Sequence, residues 1–458
     1  MNSLRFKRLI AWLLGLTILV PPVVDAQALV QLATAALISP PSAQSQRPQV
    51  QSIQAGLERA ASLEQLIAGA LLSHPGVIVL RAQAQAAESG VDSARWQFYP
   101  TPSVAVEAVG GSGSDPNYRG DSHVTTLRLQ QPLWTGGRLT AGLNKAQASA
   151  TATQASLEEV RQQLALRVVQ SYGDWLAAHG RTQSYNQSIA VHLRLSDQVK
   201  RRIEQGVAAD SDRILVESRL ANLRGDVALA LGQKYTALAR LGQLLGHHTD
   251  DTQLIAVLAP PRPVNANLQA LLDLSAHPTI QKMQAQAKVQ EAVIDERRAD
   301  LSPEVYLRAE QQYGNYAIAN VASESRIFIG LNSRFGAGLS SQSNVQAARA
   351  QHQAALAEVE VQVRSISEQI LADHALATLT QARMTALKAS LASAGQVSDS
   401  YERQFLAGRK TWQDVMNAAR EINQTEVQLI EAQATQVAVT WRLAISTQGL
   451  AAITGGAP

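Results

Sequence analysis

The chain has no cysteine among its 458 residues. This absence excludes disulfides, thiolate metal sites, thiol catalysis and a lipidated N-terminal cysteine. The chain also lacks a large excess of one charge, since it has 40 basic and 37 acidic residues and a formal net charge of +3. The basic residues are scattered among acids, so the sequence carries no footprint for nucleic acid. The length is sufficient for two or three ordinary domains.

Long apolar runs are missing after the N-terminus. A basic stretch at residues 5–8 precedes an apolar run at 9–20, and Ala26 or Ala28 offers a small-residue cleavage site. This pattern predicts a secretory signal peptide over residues 1–28. A membrane anchor is the alternative, but the run ends well short of the roughly 20 apolar residues that a spanning helix needs. We therefore expect that a membrane location of the mature chain requires strands.

Proline is absent from a stretch of 127 residues that ends before Pro260. Apolar residues recur there at spacings of three and four, which is typical of a coiled-coil-like helix seam. A helix over residues 138–205 would be about 100 Å long, with a further break possible near Gly180. Gly206 ends this segment, and Asp210 or Ser211 is placed to cap the next helix.

Four segments alternate apolar and polar side chains with the period of two that indicates a strand. They lie at about residues 102–110, 123–133, 304–313 and 325–335. In the second segment, Leu127 and Leu129 alternate with Arg128 and Gln130. Pro132 ends that pattern because it cannot donate to a ladder. A strand with one apolar face therefore passes directly into a very long helix.

The chain contains an internal repeat with an offset of 203 residues. Residues 74–100 align with 277–303 without a gap, and nine of the 27 positions are identical. Each half reads helix, helix, strand, loop, strand, long helix, break, long helix. The predicted organisation is a flexible mature N-terminus (29–60), a first repeat (61–258), a linker (259–266), a second repeat (267–450) and a flexible C-terminus (451–458).

Four strands cannot close a barrel, whereas four strands from each of three chains give twelve, which can. The apolar faces would then meet lipid, and the polar faces would line a wet lumen. The charged residues expected in the lumen are Glu107, Arg128, Arg308 and Glu310. A half-buried sheet on a soluble domain is the alternative, although the sequence offers no partner sheet for it.

Three sets of residues resemble the TolC family of outer-membrane efflux and secretion channels, over about residues 60–450. They are the stretch Gln131-Pro-Leu-Trp-Thr-Gly-Gly-Arg138, the His-Pro turns at 74 and 277, and the two Gly…Asp helix breaks. With no lipobox cysteine, the chain resembles the non-lipidated branch. The strand–helix junctions of this resemblance are Pro132, Trp134, Gly136 and Gly137 in the first repeat, and Phe335 and Gly338 in the second.

The resemblance implies an α+β membrane protein and a homotrimer. Its twelve-stranded barrel would lie in the outer membrane of a Gram-negative bacterium and continue into a helical coiled-coil tunnel in the periplasm. The expected partners are outer-membrane lipid, a periplasmic adaptor (membrane fusion) protein and an inner-membrane ABC or RND transporter.

The resemblance also implies a gate where the two helix breaks meet at the periplasmic end of the tunnel. The candidate gate residues are Asp210, Asp212, Phe405, Arg409, Lys410, Asp414 and Asn417. Asp212 would be the acidic partner of Arg409 or Lys410. Asp414 matches the first of the family's two aspartate rings, whereas Asn417 at the second position halves the charge. An ordinary solvated turn, in which Gly, Asp and Lys are common, is the alternative.

The sequence shows no catalytic constellation and no phosphate-binding loop, so we expect neither enzymatic activity nor a cofactor. His247-His248 with Asp250-Asp251 has metal-ligand chemistry, but a polar linker is the preferred interpretation. The expected function is the passive exit duct of a tripartite export machine. We favour type I protein (adhesin) secretion, with multidrug or RND efflux as one alternative and a non-membrane helical envelope adaptor or structural protein as another.

Overall fold

The computed structural model of the chain describes residues 61–108, 120–256, 271–319, 321–333 and 340–453. Its helices are α1 (Leu63–Ser73), α2 (Pro75–Trp96), α3 (Arg138–Glu204), α4 (Asp210–Leu245), α5 (Pro278–Ala299), α6 (Ser340–Leu406), α7 (Trp412–Gln448) and α8 (Leu450–Ile453). Its strands are β1 (Thr101–Ala108), β2 (His123–Trp134), β3 (Glu304–Tyr313) and β4 (Glu324–Asn332). The predicted signal peptide, flexible N-terminus and linker lie outside the described residues, as do the junction residues Phe335 and Gly338.

The two halves of the chain repeat the same elements. Helices α2 and α5 are each 22 residues long and begin with a proline after a histidine. Helices α3 and α6 each have 67 residues, while α4 and α7 have 36 and 37. The breaks also correspond, because Gly206 and Gly408 take left-handed φ values of 74° and 73°. Only glycine adopts this conformation at little cost, so it ends both long helices in the same way.

Two expectations about the first long helices are wrong. Helix α3 runs through Gly180 without a break. A Cβ at this position would lie 2.6 Å from Ile430 Cγ2, so the missing side chain permits close packing against α7. Neither Asp210 nor Ser211 caps α4, because the N-cap is Ala209, which makes no side-chain cap bond.

Among the described residues, the core lies between the helices in three separate clusters. The largest joins α1, α3, α4 and α7 around the fully buried Tyr172 and Trp175. A second cluster sits at the helix breaks, and a third packs α5, α6 and α7 around Ile280 and Ile370. Apolar burial of this kind is what holds helices of such length in place, because intrinsic helix propensity is a weak determinant.

The four strands form one antiparallel sheet in the order β1-β2-β3-β4. Arg128 pairs with Glu310 across β2 and β3, and Glu310 pairs with Arg326 across β3 and β4. Strands β1 and β4 are the outer strands, and neither has a second neighbour among the described residues. A free edge presents unpaired N–H and C=O groups, so each outer strand can pair with a further strand.

In the described part of the chain, no single helix has the length and apolarity to cross a membrane. Helices α1 and α2 pass this test only as a pair, which is bent by 50°.

Candidate functional site

The sheet separates polar from apolar side chains between its two faces. Directly opposed residues of neighbouring strands share a face. The register therefore gathers the four candidate lumen residues, Glu107, Arg128, Arg308 and Glu310, on one side of the sheet. The other side carries Val104, Val106, Leu127, Leu129, Ile327, Ile329 and Leu331, all of them exposed. Ile327 and Ile329 are 77% and 76% exposed, which suits contact with lipid rather than water.

Glu310 is the centre of a charged cluster on the polar face. Its Oε2 lies 3.7 Å from Arg128 Nε and 3.5 Å from Arg308 Nε. The Arg308 guanidinium stacks over the ring of Phe328, with 4.8 Å to the centroid, and lies 5.9 Å from that of Tyr306. Three of the four predicted lumen residues are thus brought together.

The fourth lumen residue, Glu107, is not part of this cluster. Its Oε2 accepts a 2.6 Å hydrogen bond from the Tyr316 hydroxyl, in the loop between β3 and β4. This bond ties the end of β1 to a loop more than 200 residues away.

A β-bulge shapes the junction of β2 with α3. The register passes from Pro132 opposite Tyr306 to Trp134 opposite Val305, so Leu133 is one extra residue on β2. The bulge places Trp134 on the apolar face, where its side chain is exposed. Tryptophan at the end of an apolar strand face suits the membrane–water interface.

The glycines that follow Trp134 allow a close approach of two segments. Gly136 has a φ of 59°, and a Cβ there would lie 2.1 Å from Ser302 Cβ. No other residue fits without a shift of backbone, so Gly136 seats the junction against the end of α5. Arg138 Nη2 then bonds Glu304 Oε1 at 3.1 Å, which links the start of α3 to the start of β3.

The two helix breaks pack against each other within the protomer. Phe405 is buried and contacts Trp412 at a ring separation of 5.4 Å. Arg202, near the end of α3, stacks 4.4 Å over the Phe405 ring and donates to its carbonyl oxygen at 2.9 Å. Phe405 therefore holds the helix ends together in the single chain. Sequence reasoning gave no role to Arg202, since its partner is about 200 positions away.

Lys410 and Asp414 lie together at the second break. Lys410 Nζ is 4.3 Å from the centroid of the Tyr401 ring and 3.9 Å from Asp414 Oδ1. Asp414 also forms a capping box with Thr411, whose backbone N and Oγ1 both donate to its Oδ2. Hydrogen bonds from Thr411 hold the pKa of Asp414 below its usual value, so the carboxylate is charged at neutral pH.

The remaining gate candidates are less constrained. Asp210 pairs with Arg213 at 2.8 Å, and this hydrogen bond lowers the pKa of the Asp210 carboxyl. Arg409 and Asn417 are exposed. Among the described contacts, Asp212 forms no ion pair with Arg409 or Lys410, so the predicted link is not made within one protomer.

The acidic segment after α4 is a structural anchor. Asp251 accepts hydrogen bonds from Trp175 Nε1 at 2.7 Å and Lys234 Nζ at 3.1 Å, and its Oδ1 lies 3.0 Å from His179 Nδ1. Burial raises the pKa of Asp251, but these partners outweigh it and lower the pKa overall. The structure groups no three His, Cys, Asp or Glu side chains into a metal site within the described ranges.

Comparison with known proteins identifies the family. The profile of the outer membrane efflux protein family matches residues 66–247 and 272–455, one match for each repeat. The chain belongs to the outer membrane efflux protein family. Its members are channels rather than enzymes, and the family works as a trimeric outer-membrane duct with adaptor and inner-membrane pump partners.

One relative and two solved structures illustrate the similarity. The cobalt-zinc-cadmium resistance protein CzcC of Cupriavidus metallidurans is 23% identical over 68% of this chain and 74% of its own length. The outer membrane protein VceC of Vibrio cholerae superposes with a TM-score of 0.73 at 15% identity, over 84% of this chain and 96% of its own. The open-state MtrE outer membrane channel of Neisseria gonorrhoeae gives 0.72 at 17% identity, covering 86% and 89%.

The predicted fold class is confirmed by these matches. It is a trimeric twelve-stranded outer-membrane barrel with four strands from each protomer, continuous with a periplasmic helical barrel and built from tandem repeats. The protein is an efflux channel of the outer membrane and extends into the periplasm. The alternative of a non-membrane envelope adaptor is set aside.

Proposed function

We propose that this protein is the passive exit duct for a small-solute efflux pump of the inner membrane. The two-faced sheet is the observation that carries the proposal, because an exposed apolar face and a charged opposite face suit a wall between lipid and water. The similarity to a cobalt-zinc-cadmium resistance protein supports metal-ion cargo. We expect the energy to come from the pump, because the family works as a duct with inner-membrane pump partners.

A heat-modifiability experiment tests the duct. The full precursor is expressed in a Gram-negative host, and the outer membrane is extracted with mild detergent. We expect a trimer of mature chains that dissociates on boiling and opens conducting pores in planar bilayers. A soluble periplasmic monomer would contradict the proposal.

Type I protein secretion is a second candidate. The stretch from Trp134 to Gly142 resembles channels that are paired with large-adhesin exporters, which supports this function. Deletion of the gene in its host separates the two. Greater sensitivity to Co²⁺, Zn²⁺, Cd²⁺ or drugs would favour efflux, whereas loss of a large surface protein with unchanged sensitivity would favour secretion.

We further propose that the two helix breaks form the periplasmic gate of the trimer. Threefold symmetry would bring three copies of Asp212, Lys410 and Asp414 to one narrowing. Ion pairs at such a narrowing would stabilise the closed end more than exposed pairs do, since an exposed pair contributes only about 0–1 kcal/mol. Three Asp414 carboxylates would also attract cations and discourage anions.

Single-channel conductance tests the gate. Asp212→Ala and Lys410→Ala are expected to raise the conductance of the closed channel, because each removes one side of a constraint at the narrow end. Arg224→Ala, an exposed position further along α4, is the matched control and should conduct as the wild type does. If neither gate variant exceeds the control, the breaks are ordinary solvated turns.

A further inference from the structure

Two arginines share one carboxylate on the polar face of the sheet. Arg128 and Arg308 approach the same oxygen of Glu310, both through Nε. Glu310 is the least exposed of the three side chains, at 16%. Arg308 Nε is buried and has no hydrogen-bond partner in the described part of the chain. The cluster therefore has more guanidinium donors than one carboxylate satisfies.

Aromatic side chains fix the Arg308 guanidinium against the wall. Phe328 lies opposite Arg308 in the register, and its ring is in cation–π range of the guanidinium. Tyr306 lies over Gly330, where any Cβ would meet the ring at 2.3 Å. The glycine thus makes room for Tyr306, which flanks Arg308 from the next level. The terminal nitrogens of Arg308 form no hydrogen bond with the described side chains, so they can donate hydrogen bonds to a bound anion.

Neighbouring charges within the described residues do not cancel this excess. Arg326 is paired with Glu324, and Glu304 is paired with Arg138. Glu107 lies four residues along β1 from the position opposite Arg128, which is about 14 Å at 3.4 Å per residue. That separation exceeds the screening length of about 8 Å at physiological ionic strength. The cluster retains one net positive charge per protomer.

We propose that Arg128, Arg308 and Glu310 form an anion-attracting belt on the lumen wall of the barrel. The belt takes carboxylate or phosphate groups of solutes in transit, because guanidinium forks bind these groups in bidentate fashion. In the trimer the three copies carry three net positive charges at one level of the lumen. This proposal rests on the duct proposed above, since the belt faces transported solutes only if the sheet lines the pore.

Block of the pore by inorganic tripolyphosphate tests the belt. Wild-type trimers are inserted in planar bilayers at about 0.1 M KCl, and the anion is added on the side of the strand loops. We expect a block that weakens strongly at about 1 M KCl, where screening shortens to about 3 Å. For the Arg128→Gln, Arg308→Gln double variant, the tripolyphosphate concentration that gives half-maximal block should rise by about threefold or more. Glu310→Gln should be blocked more tightly than the wild type.

The opposite signs of these two changes separate a charge effect from damage to the fold. Arg95→Gln is the matched control, because it removes one positive charge from a local pair with Asp92 on α2 rather than from the sheet. It should leave the block unchanged. If the arginine variant does not assemble, Glu310→Gln alone decides the proposal by its direction.

The failures are distinguishable. Conducting trimers whose block responds to neither change would overturn the belt and leave the duct standing. Equal responses of the Arg95→Gln control and the arginine variant would also overturn it. A wild-type chain that never forms conducting trimers would overturn the duct and the belt together.

Discussion

At the scale of single residues, glycines within the helices serve opposite purposes. Gly173 and Gly180 lie one heptad apart on α3, where it packs against α7. A Cβ at Gly173 would lie 3.2 Å from Ala438 Cβ, and one at Gly180 would lie 2.6 Å from Ile430 Cγ2. Gly225 on α4 has no atom within 4 Å of its added Cβ. The first two glycines therefore set the distance between helices, whereas the third only lowers helix propensity.

Gly180→Val is expected to lower the free energy of unfolding by about 1–3 kcal/mol, because the added methyl groups overpack the contact with α7. Gly225→Ala is the control and should raise it by about 0.5–1 kcal/mol. Denaturant unfolding of the solubilised trimer, followed by circular dichroism, measures both. Adding Ile430→Ala to the valine variant should recover part of the loss. Equal effects of the two glycine substitutions would contradict the packing role.

One buried and one half-buried histidine, His192 and His277, are expected to make stability depend on pH. His192 is 3% exposed and its Nδ1 lies 2.8 Å from the Ser188 carbonyl oxygen. Burial lowers the pKa of His192, and Arg219 lowers it further, although the bond to Ser188 opposes both. Burial also lowers the pKa of His277, against the opposing charge of Glu159. Both histidines therefore bind protons more weakly in the folded chain than in the unfolded one.

The contribution of these histidines to the free energy of unfolding is fully present above the unfolded pKa of about 6.5. It declines as the pH falls through about 6.5 toward their pKa values in the folded chain. We expect the wild type to lose unfolding free energy between about pH 7.5 and pH 5.5. His192→Gln with His277→Gln should lose less over the same range. His248→Gln, at an exposed position, should behave as the wild type. Parallel pH profiles for all three proteins would refute the linkage.

At the scale of elements, the two breaks start their following helices differently. Helix α7 begins with a capping box in which Thr411 Oγ1 accepts from Asp414 N at 3.2 Å. Helix α4 begins after Ala209 with no side-chain cap. The acidic residues Asp210 and Asp212 in its first turn still favour the positive end of the helix dipole. The start of α7 is thus fixed by local bonds that α4 lacks.

Thr411→Ala should therefore destabilise the first turn of α7 by about 1 kcal/mol, the usual cost of losing an N-cap. Amide hydrogen exchange over residues 412–416 measures the local opening. Ser211→Ala is the matched control, because Ser211 makes no cap bond at the start of α4. If the amides of residues 412–416 exchange at the same rate in both variants, the capping box does not stabilise the start of α7.

At the scale of the whole molecule, the sequence predicted what depends on local periodicity. Alternation predicted four strands, which the structure contains, and the repeat predicted the same order of elements in both halves. The sequence did not reveal the bulge at Leu133, because strand register is set by the partner strand. The contact of Arg202 with Phe405 was also missed, since it joins side chains about 200 positions apart. Neither the bulge nor this contact is indicated by the residues nearby in the sequence.

The free edges of the sheet give the whole-molecule prediction. Strand β1 must meet β4 of a neighbouring copy if three sheets close into one barrel. These two strands run in opposite directions, as the alternating order of the sheet requires. Closure of this kind satisfies the backbone groups that both edges leave unpaired.

Because the chain has no cysteine, engineered thiols report this contact without background. Val104→Cys or Val106→Cys combined with Ile327→Cys or Ile329→Cys places outward-facing thiols on both edges. At least one combination should give a covalently closed trimer on oxidation, since Cβ atoms of directly opposed, non-hydrogen-bonded pairs approach to about 4.5 Å, the upper end of the range for a disulfide. Leu129→Cys with Leu307→Cys, on the two central strands, is the control and should link no chains. Heat-stable trimers that yield no inter-chain link in any combination would show that these edges do not meet in a register that opposes residues 104–106 to residues 327–329.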